Sequence, residues 1–140
     1  MLREQKVAAV EAYLDGFKKR DFAGVPLADD VIFGGPLMPN LSGRQTVLGF
    51  LNMILPSVKS VTSRQHIVEG DFVATMFDME TVNGTDHVVD WIRVEAGEIK
   101  SIHAFYYPQQ LRSRSQRPWS PFGGGRFIVR QDFRRALQCA

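Results

Sequence analysis

The stretch "VVDWIRVEAGEIKSIHAFYY", residues 88–107, reads as two β-strands joined by a glycine-containing loop, with Asp90 flanked by Val, Val, Trp and Ile. A carboxylate in an otherwise apolar strand does chemistry only if it faces a pocket, so its direction decides its meaning. The preceding "NGT" at residues 83–85 is a strong hairpin signal, because Asn-Gly tolerates the positive φ of a tight turn. A two-residue Asn83-Gly84 turn pairs Val82 with Thr85, which sets Asp90 opposite Phe77 and Val88 opposite Met79. Cross-strand partners share a face. Asp90, Val88 and Ile92 then stand with Thr75, Phe77 and Met79. The other face carries Met76, Asp78, Glu80, His87, Trp91 and Arg93. The first face is the more apolar and is expected to lie under the helices. Burial among apolar side chains disfavours the charged carboxylate and raises its pKa, so Asp90 could hold its proton near neutral pH and act as a donor. The competing reading is a structural Asp, bonded to a backbone amide or paired with an arginine.

His103 depends on the next loop. A two-residue "AG" turn would set His103 opposite Asp90, as an acid–histidine pair. A three-residue "EAG" loop, with Gly97 in a left-handed bulge, shifts parity by one and turns Ala104 and Ile102 inward. Glycine in third position favours the bulged loop, hence Ala104 inward and His103 outward.

The elements that must position these residues follow from periodicity. Val10, Tyr13, Leu14 and Phe17 share one face of an amphipathic helix over residues 4–20, with Lys18, Lys19 and Arg20 in its last turn. A short helix is expected over residues 22–27, limited by Pro26. "VIF" (residues 31–33) reads as a short strand and "GGPLMPN" as a loop. "SGRQ" matches a capping box, with Ser42 as N-cap and Gln45 at N3. The helix it opens buries Val47, Phe50, Leu51, Ile54 and Leu55 and ends at Pro56. From Val58 onward the period is two, with strands expected near 59–69, 72–82, 86–95 and 98–107. Helices followed by an antiparallel meander predict an α+β fold, with helices on one face of a curved sheet.

The 140 residues suit one domain, and 44% hydrophobic with 23% charged residues is ordinary for a globular protein. No apolar run approaches the ~20 residues of a membrane span. The first residues carry acids and no continuous apolar stretch, so no signal peptide is expected and cytoplasm is the default location. The lone Cys139 allows no internal disulfide. Three scattered histidines and no acidic cluster at ligand spacing predict no metal site. No dinucleotide fingerprint, phosphate loop or nucleophile elbow is present.

Charge divides the chain. Residues 109–140 hold seven Arg against one Asp, which gives +6 and leaves −4 for residues 1–108 out of a total of +2. The expected organisation is a folded domain over 1–108 and an Arg-rich extension over 109–140. With Trp119, Phe122 and Phe127, that extension could bind nucleic acid through phosphates and stacking. The plainer reading is a Pro/Gly/Ser-rich tail, disordered or folded onto the acidic domain. Closure of a pocket mouth is a third.

Residues 4–108 resemble the nuclear transport factor 2-like superfamily, of the SnoaL-like and ketosteroid isomerase kind. The resemblance rests on "AYLDGFKKRDFAGV", "LADDVIFGGPL", "LSGRQTVLGFL" and above all "VVDWIRVEAGEIKSIHAFYYP". It implies a curved sheet wrapped by N-terminal helices into a cone with an internal pocket (the NTF2-like or cystatin-like fold), and frequent homodimers. In ketosteroid isomerases an oxyanion hole is built from a first-helix Tyr and a protonated strand Asp. Tyr13 and Asp90 match these. The isomerase base would align at Gly35, and the last-strand Asp of limonene epoxide hydrolases and SnoaL-like cyclases would align at Ala104. Neither residue can move a proton.

Three functional readings follow. One is a cofactor-independent isomerase, dehydratase or cyclase acting on an apolar carbonyl- or hydroxyl-bearing molecule, with Asp90 and Tyr13 as donors and His66, in "SRQHIVEG", as a relocated base. The second is a pocket that only binds a small apolar ligand, among Phe17, Phe33, Phe50, Ile54, Phe77 and Ile92. The third is a dimerisation module using Met76, Trp91 and Phe105 on the outer sheet face.

Overall fold

A computed structural model describes residues 2–106. The expectations for residues 109–140 fall outside that range. Helix α1 (Arg3–Lys19) is followed by strands β1 (Leu27–Gly35) and β2 (Met38–Ser42), helix α2 (Arg44–Ile54) and a 3₁₀ turn (Leu55–Ser57). The meander comes next: β3 (Val58–Glu69), β4 (Phe72–Thr81), β5 (Gly84–Glu95) and β6 (Glu98–Phe105). The six strands form one sheet in the order β2-β1-β6-β5-β4-β3, curved and left open between its edges β2 and β3. The meander is antiparallel, as expected. The β1–β2 hairpin joins it through a parallel β1–β6 pairing, so the whole sheet is mixed.

Curvature comes from bulges in β3, between Val58 and Ser60 and between Ser63 and Gln65, and from one at the β5–β6 pairing. Helix α1 lies across β3 to β6, and α2 packs on β1 and β2. The face of α1 that meets the sheet is Ala9, Val10, Tyr13, Leu14, Gly16 and Phe17. Gly16 admits Phe22, whose Cδ1 lies 2.5 Å from where a Cβ would stand. Phe17 and Phe22 pack edge to face at 5.0 Å. Arg20 closes α1 in the left-handed region at φ 58°, and its guanidinium donates to the carbonyls of Leu55 (2.8 Å) and Val58 (2.6 Å). That clamp fixes the end of α1 against the start of β3.

Several local expectations differ from the structure, each because tertiary pairing took the backbone. Residues 22–27 form no helix: the Pro26 carbonyl accepts from the Ile99 amide at 2.7 Å, so the chain is already in the sheet. "GGPLMPN" is the β1–β2 hairpin, closed by the Gly35–Met38 pair with Leu37 at φ 64°. Pro39 is tolerated because β2 is an edge strand. Ser42 pairs with Ile32 in the sheet and caps nothing; Gly43, at φ 96°, makes the bend and precedes α2.

The turns also moved. The β4–β5 loop is Val82-Asn83, closed by Thr81 and Gly84, so Asp90 faces Thr75 and Val88 faces Phe77. The slip is two residues, which preserves the face. The β5–β6 loop is the two-residue Ala96-Gly97 turn, with φ 51° and 79°. Ala104 nevertheless points inward opposite Asp90, and His103 outward opposite Trp91, because a bulge in β6 restores the parity. Ile99 and Ile102, three apart, are both buried.

Candidate functional site

Strand β5 alternates strictly at its centre. Asp86, Val88, Asp90 and Ile92 are buried, while His87, Val89 and Trp91 are exposed. Asp86, Val88 and Asp90 face a cavity of about 250 Å³ between the helices and the concave sheet face, just under the ~300–1,000 Å³ of sites for drug-sized ligands. Tyr13 and Phe17 from α1, Phe50 and Ile54 from α2, and Phe33 and Phe77 from the sheet line it. Tyr13 meets Phe17 edge-on at 5.5 Å, and Phe33 meets Phe50 at 5.1 Å. Ser57, Thr81 and Asn83 add polar groups where β3, β4 and β5 meet.

Asp90 is 1% exposed, and its Oδ1 has no hydrogen-bond partner among the described residues. Burial pushes its carboxyl up to about 8, so it keeps its proton at neutral pH. Burial also raises the Tyr13 phenol well above its ordinary value, and the nearby charges of Asp90 and Tyr106 add to this. Tyr106 is raised by burial, then by Asp86 and Asp90. Asp90, Tyr13 and Tyr106, all neutral at pH 7, thus line one largely apolar space, a set of O–H donors suited to holding a carbonyl oxygen or a developing oxyanion.

The expected site residues separate into two groups. Asp90, Tyr13, Phe17, Phe33, Phe50, Ile54 and Phe77 line the cavity. Ile92 does not: it is fully buried in the core behind it, paired with Val73 and Ile102. His66 does not line it either. Its Nδ1 lies 2.7 Å from Thr75 Oγ1, and its Nε2 contacts the Glu11 carboxylate on α1. His103 stacks on Phe105 at 4.7 Å outside the sheet. Asp78 is outside too, its carboxyl held below the ordinary value by hydrogen bonds from His87 and then Arg64.

Sequence reasoning did not single out Asp86 and Tyr106. Both were within reach of the same parity argument, Asp86 four residues before Asp90 and Tyr106 two after Ala104. Gly35 and Ala104, the positions matching the family's two bases, both stand on the cavity wall. Among the described residues no group of three or more His, Cys, Asp and Glu side chains could hold a metal ion, and no helix is long and apolar enough to cross a membrane.

Comparison with known families gives a match to the SnoaL-like domain over residues 10–102. The chain belongs to the SnoaL-like family. It lies within the nuclear transport factor 2-like superfamily, as the similar folds agree. A de novo designed protein with a curved β-sheet is 23% identical with a TM-score of 0.70, covering 81% of this chain and 93% of the other. A steroid Δ-isomerase from Pseudomonas aeruginosa is 21% identical, TM-score 0.65, covering 78% and 84%. TerC, crystallised with polyporic acid, is 19% identical, TM-score 0.68, covering 78% and 96%. At these identities the likeness is one of fold. No curated protein matches the sequence. In this SnoaL-like domain Asp90 and Tyr13 line the cavity, and the two positions that match the family's familiar bases hold glycine and alanine, neither of which can titrate.

Proposed function

We propose that this SnoaL-like protein is a cofactor-independent acid–base enzyme acting on a small apolar molecule that bears a carbonyl or hydroxyl, with Asp90 as the proton donor and Tyr13 beside it. The observation behind this reading is the unpartnered Oδ1 of a fully buried, neutral Asp90 on the cavity wall. A structural Asp would be bonded to an amide or an arginine, and an orphaned buried acceptor calls for another explanation. The cavity suits a one- or two-ring molecule, with Phe17, Phe33, Phe50, Ile54 and Phe77 covering its apolar body. Fold likeness to a steroid Δ-isomerase and to TerC with polyporic acid supports a ligand of that class. Isomerisation, dehydration and cyclisation all begin by protonating or polarising such an oxygen.

The test is exchange of α-protons for deuterium in a panel of small cyclic enones and β-hydroxy ketones, followed by proton NMR. The wild-type chain is expected to accelerate exchange or dehydration of at least one of them, and Asp90→Asn to bind it comparably but turn it over at least tenfold more slowly. A second reading, binding without turnover, is favoured by Gly35 and Ala104 on the wall. Binding of a member of the panel by the wild-type chain, with no acceleration of its exchange or dehydration, would support it.

A further inference from the structure

The cavity has a direction, and the β4–β5 ladder gives it. Behind Asp90 and Thr75 stands the Ile92–Val73 rung, completely buried and no part of the cavity wall, so that end is closed. In the other direction the inward rungs are Val88–Phe77, Asp86–Met79 and Gly84–Thr81, and the Val82-Asn83 turn follows. Each of these rungs, and Asn83 itself, contributes to the wall. Burial falls along the same line: Phe77 is buried, Met79 and Thr81 are half-buried, and Asn83 is exposed. The cavity is therefore a slot that opens at the turn. Gly84 stands six strand residues from Asp90, a run of about 20 Å.

At the mouth the two hydroxyls on the wall are already committed. Ser57 Oγ donates to the Ile54 carbonyl at 2.7 Å. Thr81 Oγ1 donates to the Gly84 carbonyl at 2.9 Å and accepts from the Asn83 N–H at 3.1 Å. The Val82 amide donates to the Ser57 carbonyl at 3.0 Å, which ties the two sides of the rim together. Asn83 enters these bonds only through its backbone, so its side-chain amide is left to meet a ligand. Between the two ends the ladder presents Val88, Phe77 and Met79, with Asp86 the one polar side chain on those rungs.

We propose that the substrate is elongated and carries a hydroxyl at the end remote from Asp90, and that the Asn83 side chain recognises this hydroxyl at the mouth. The inference rests on the function proposed above for the placement of the reacting oxygen at Asp90. A cavity of about 250 Å³ drawn out along the ladder takes one ring and a chain better than a broad fused-ring body. The carbonyl then lies at the blind end, the apolar body along the rungs, and the hydroxyl where the amide can donate to it or accept from it. Among the described residues no Lys, Arg or His lines the cavity, which favours a hydroxyl over a carboxylate at the remote end. Asn83 meets no reacting atom and is a specificity residue.

Two probes test this: 2-cyclohexenone with a hexyl chain at C4, and the same ring with a 6-hydroxyhexyl chain. Affinity is read by NMR titration of the full chain, and turnover by deuterium exchange of the α-protons. One hydrogen bond of ordinary net strength corresponds to about fivefold in affinity, and the wild type is expected to prefer the hydroxylated probe by about that factor or more. In Asn83→Ala the two probes should bind alike. Asn83 is exposed and takes no positive φ, so the substitution leaves the turn unstrained. Equal affinities in the wild type, or a preference that survives Asn83→Ala, overturns the inference. A hydroxyl preference without any exchange upholds the mouth assignment and counts against the catalytic reading; exchange with equal affinities does the reverse.

Discussion

Neutralising Asp90 by substitution should change how stability depends on pH, and the size of that change follows from burial. The folded chain holds this carboxyl's proton up to about pH 8, against 3.8 for the free side chain. Between those values the folded state keeps a proton that the unfolded state has released. The unfolded state thus binds fewer protons, and stability falls as pH rises through the window. Each pH unit inside it removes about 1.4 kcal/mol, which amounts to about 4 kcal/mol at pH 7 relative to acid. Asn cannot ionise and lacks this dependence. Its amide brings a pH-independent penalty of about 1–3 kcal/mol for donors placed in the same apolar setting. Asp90→Asn is therefore expected to be the less stable chain near pH 4 and the more stable one by pH 7, with the crossing near pH 5.

Urea unfolding at half-unit steps from pH 4.5 to 7.5 measures this directly. The difference between the two chains is the quantity to plot, because titration of every group common to both cancels. The expected difference climbs by about 1.4 kcal/mol per pH unit in favour of Asn. A difference that stays flat within about 1 kcal/mol across the range would mean that Asp90 ionises in the folded state as it does in the unfolded one. Burial would then not control its proton, and the donor role would fall with it.

Other consequences are local. The atoms nearest a Cβ added at Gly35 are Met38 Sδ at 3.3 Å, then Met38 Cγ and Ala104 Cβ at 3.8 Å, and Met38 is flexible enough to yield. Gly35→Asp is therefore expected to fold and to raise deuterium exchange of cyclic enones at least tenfold over the wild type, by restoring a base opposite the donors. Ala96 holds φ 51° in the β5–β6 turn, a conformation that Asn adopts more readily. Ala96→Asn should stabilise the domain by about 0.5–1 kcal/mol in urea. Val89, Trp91 and Phe105 are exposed on the outer sheet face, and Trp91 stacks on Phe72 at 5.0 Å. A homodimer through this face is expected, read as twice the chain mass by sedimentation, with Trp91→Glu returning the monomer; a wild-type monomer with a water-quenched Trp91 would refute it.

What the sequence made legible was the face, and what it left obscure was the register. Alternation along β5 orients Asp90 whichever residue it opposes, so a turn misplaced by one position, which slips the register by two, did no harm. The inward turn of Ala104 was expected from a three-residue loop and arises instead from a two-residue turn followed by a bulge. Parity counts only the extra residue, wherever it sits. Ser42 and residues 22–27 went astray for a different reason. Each carries a genuine local signal, and each is taken into the sheet by a partner far along the chain, Ile32 for Ser42 and Ile99 for Pro26.

The same distinction explains the histidine. His66 was singled out because imidazole titrates in the useful range, and it was expected at the cavity. Its place is two strands from Asp90, with Thr75 between, and only the completed β3–β4–β5 register brings the three into one row. Nothing local to "SRQHIVEG" or "FVATMF" announces that Thr75 will separate them, or that Glu11, 55 residues earlier, will meet the far side of the ring. A site of this kind is a product of strand pairing. The alternation of single strands supplies the acid and its apolar surroundings, while the contacts of His66 with Thr75 and Glu11 exist only once the sheet has closed its ladders and α1 has been laid across them.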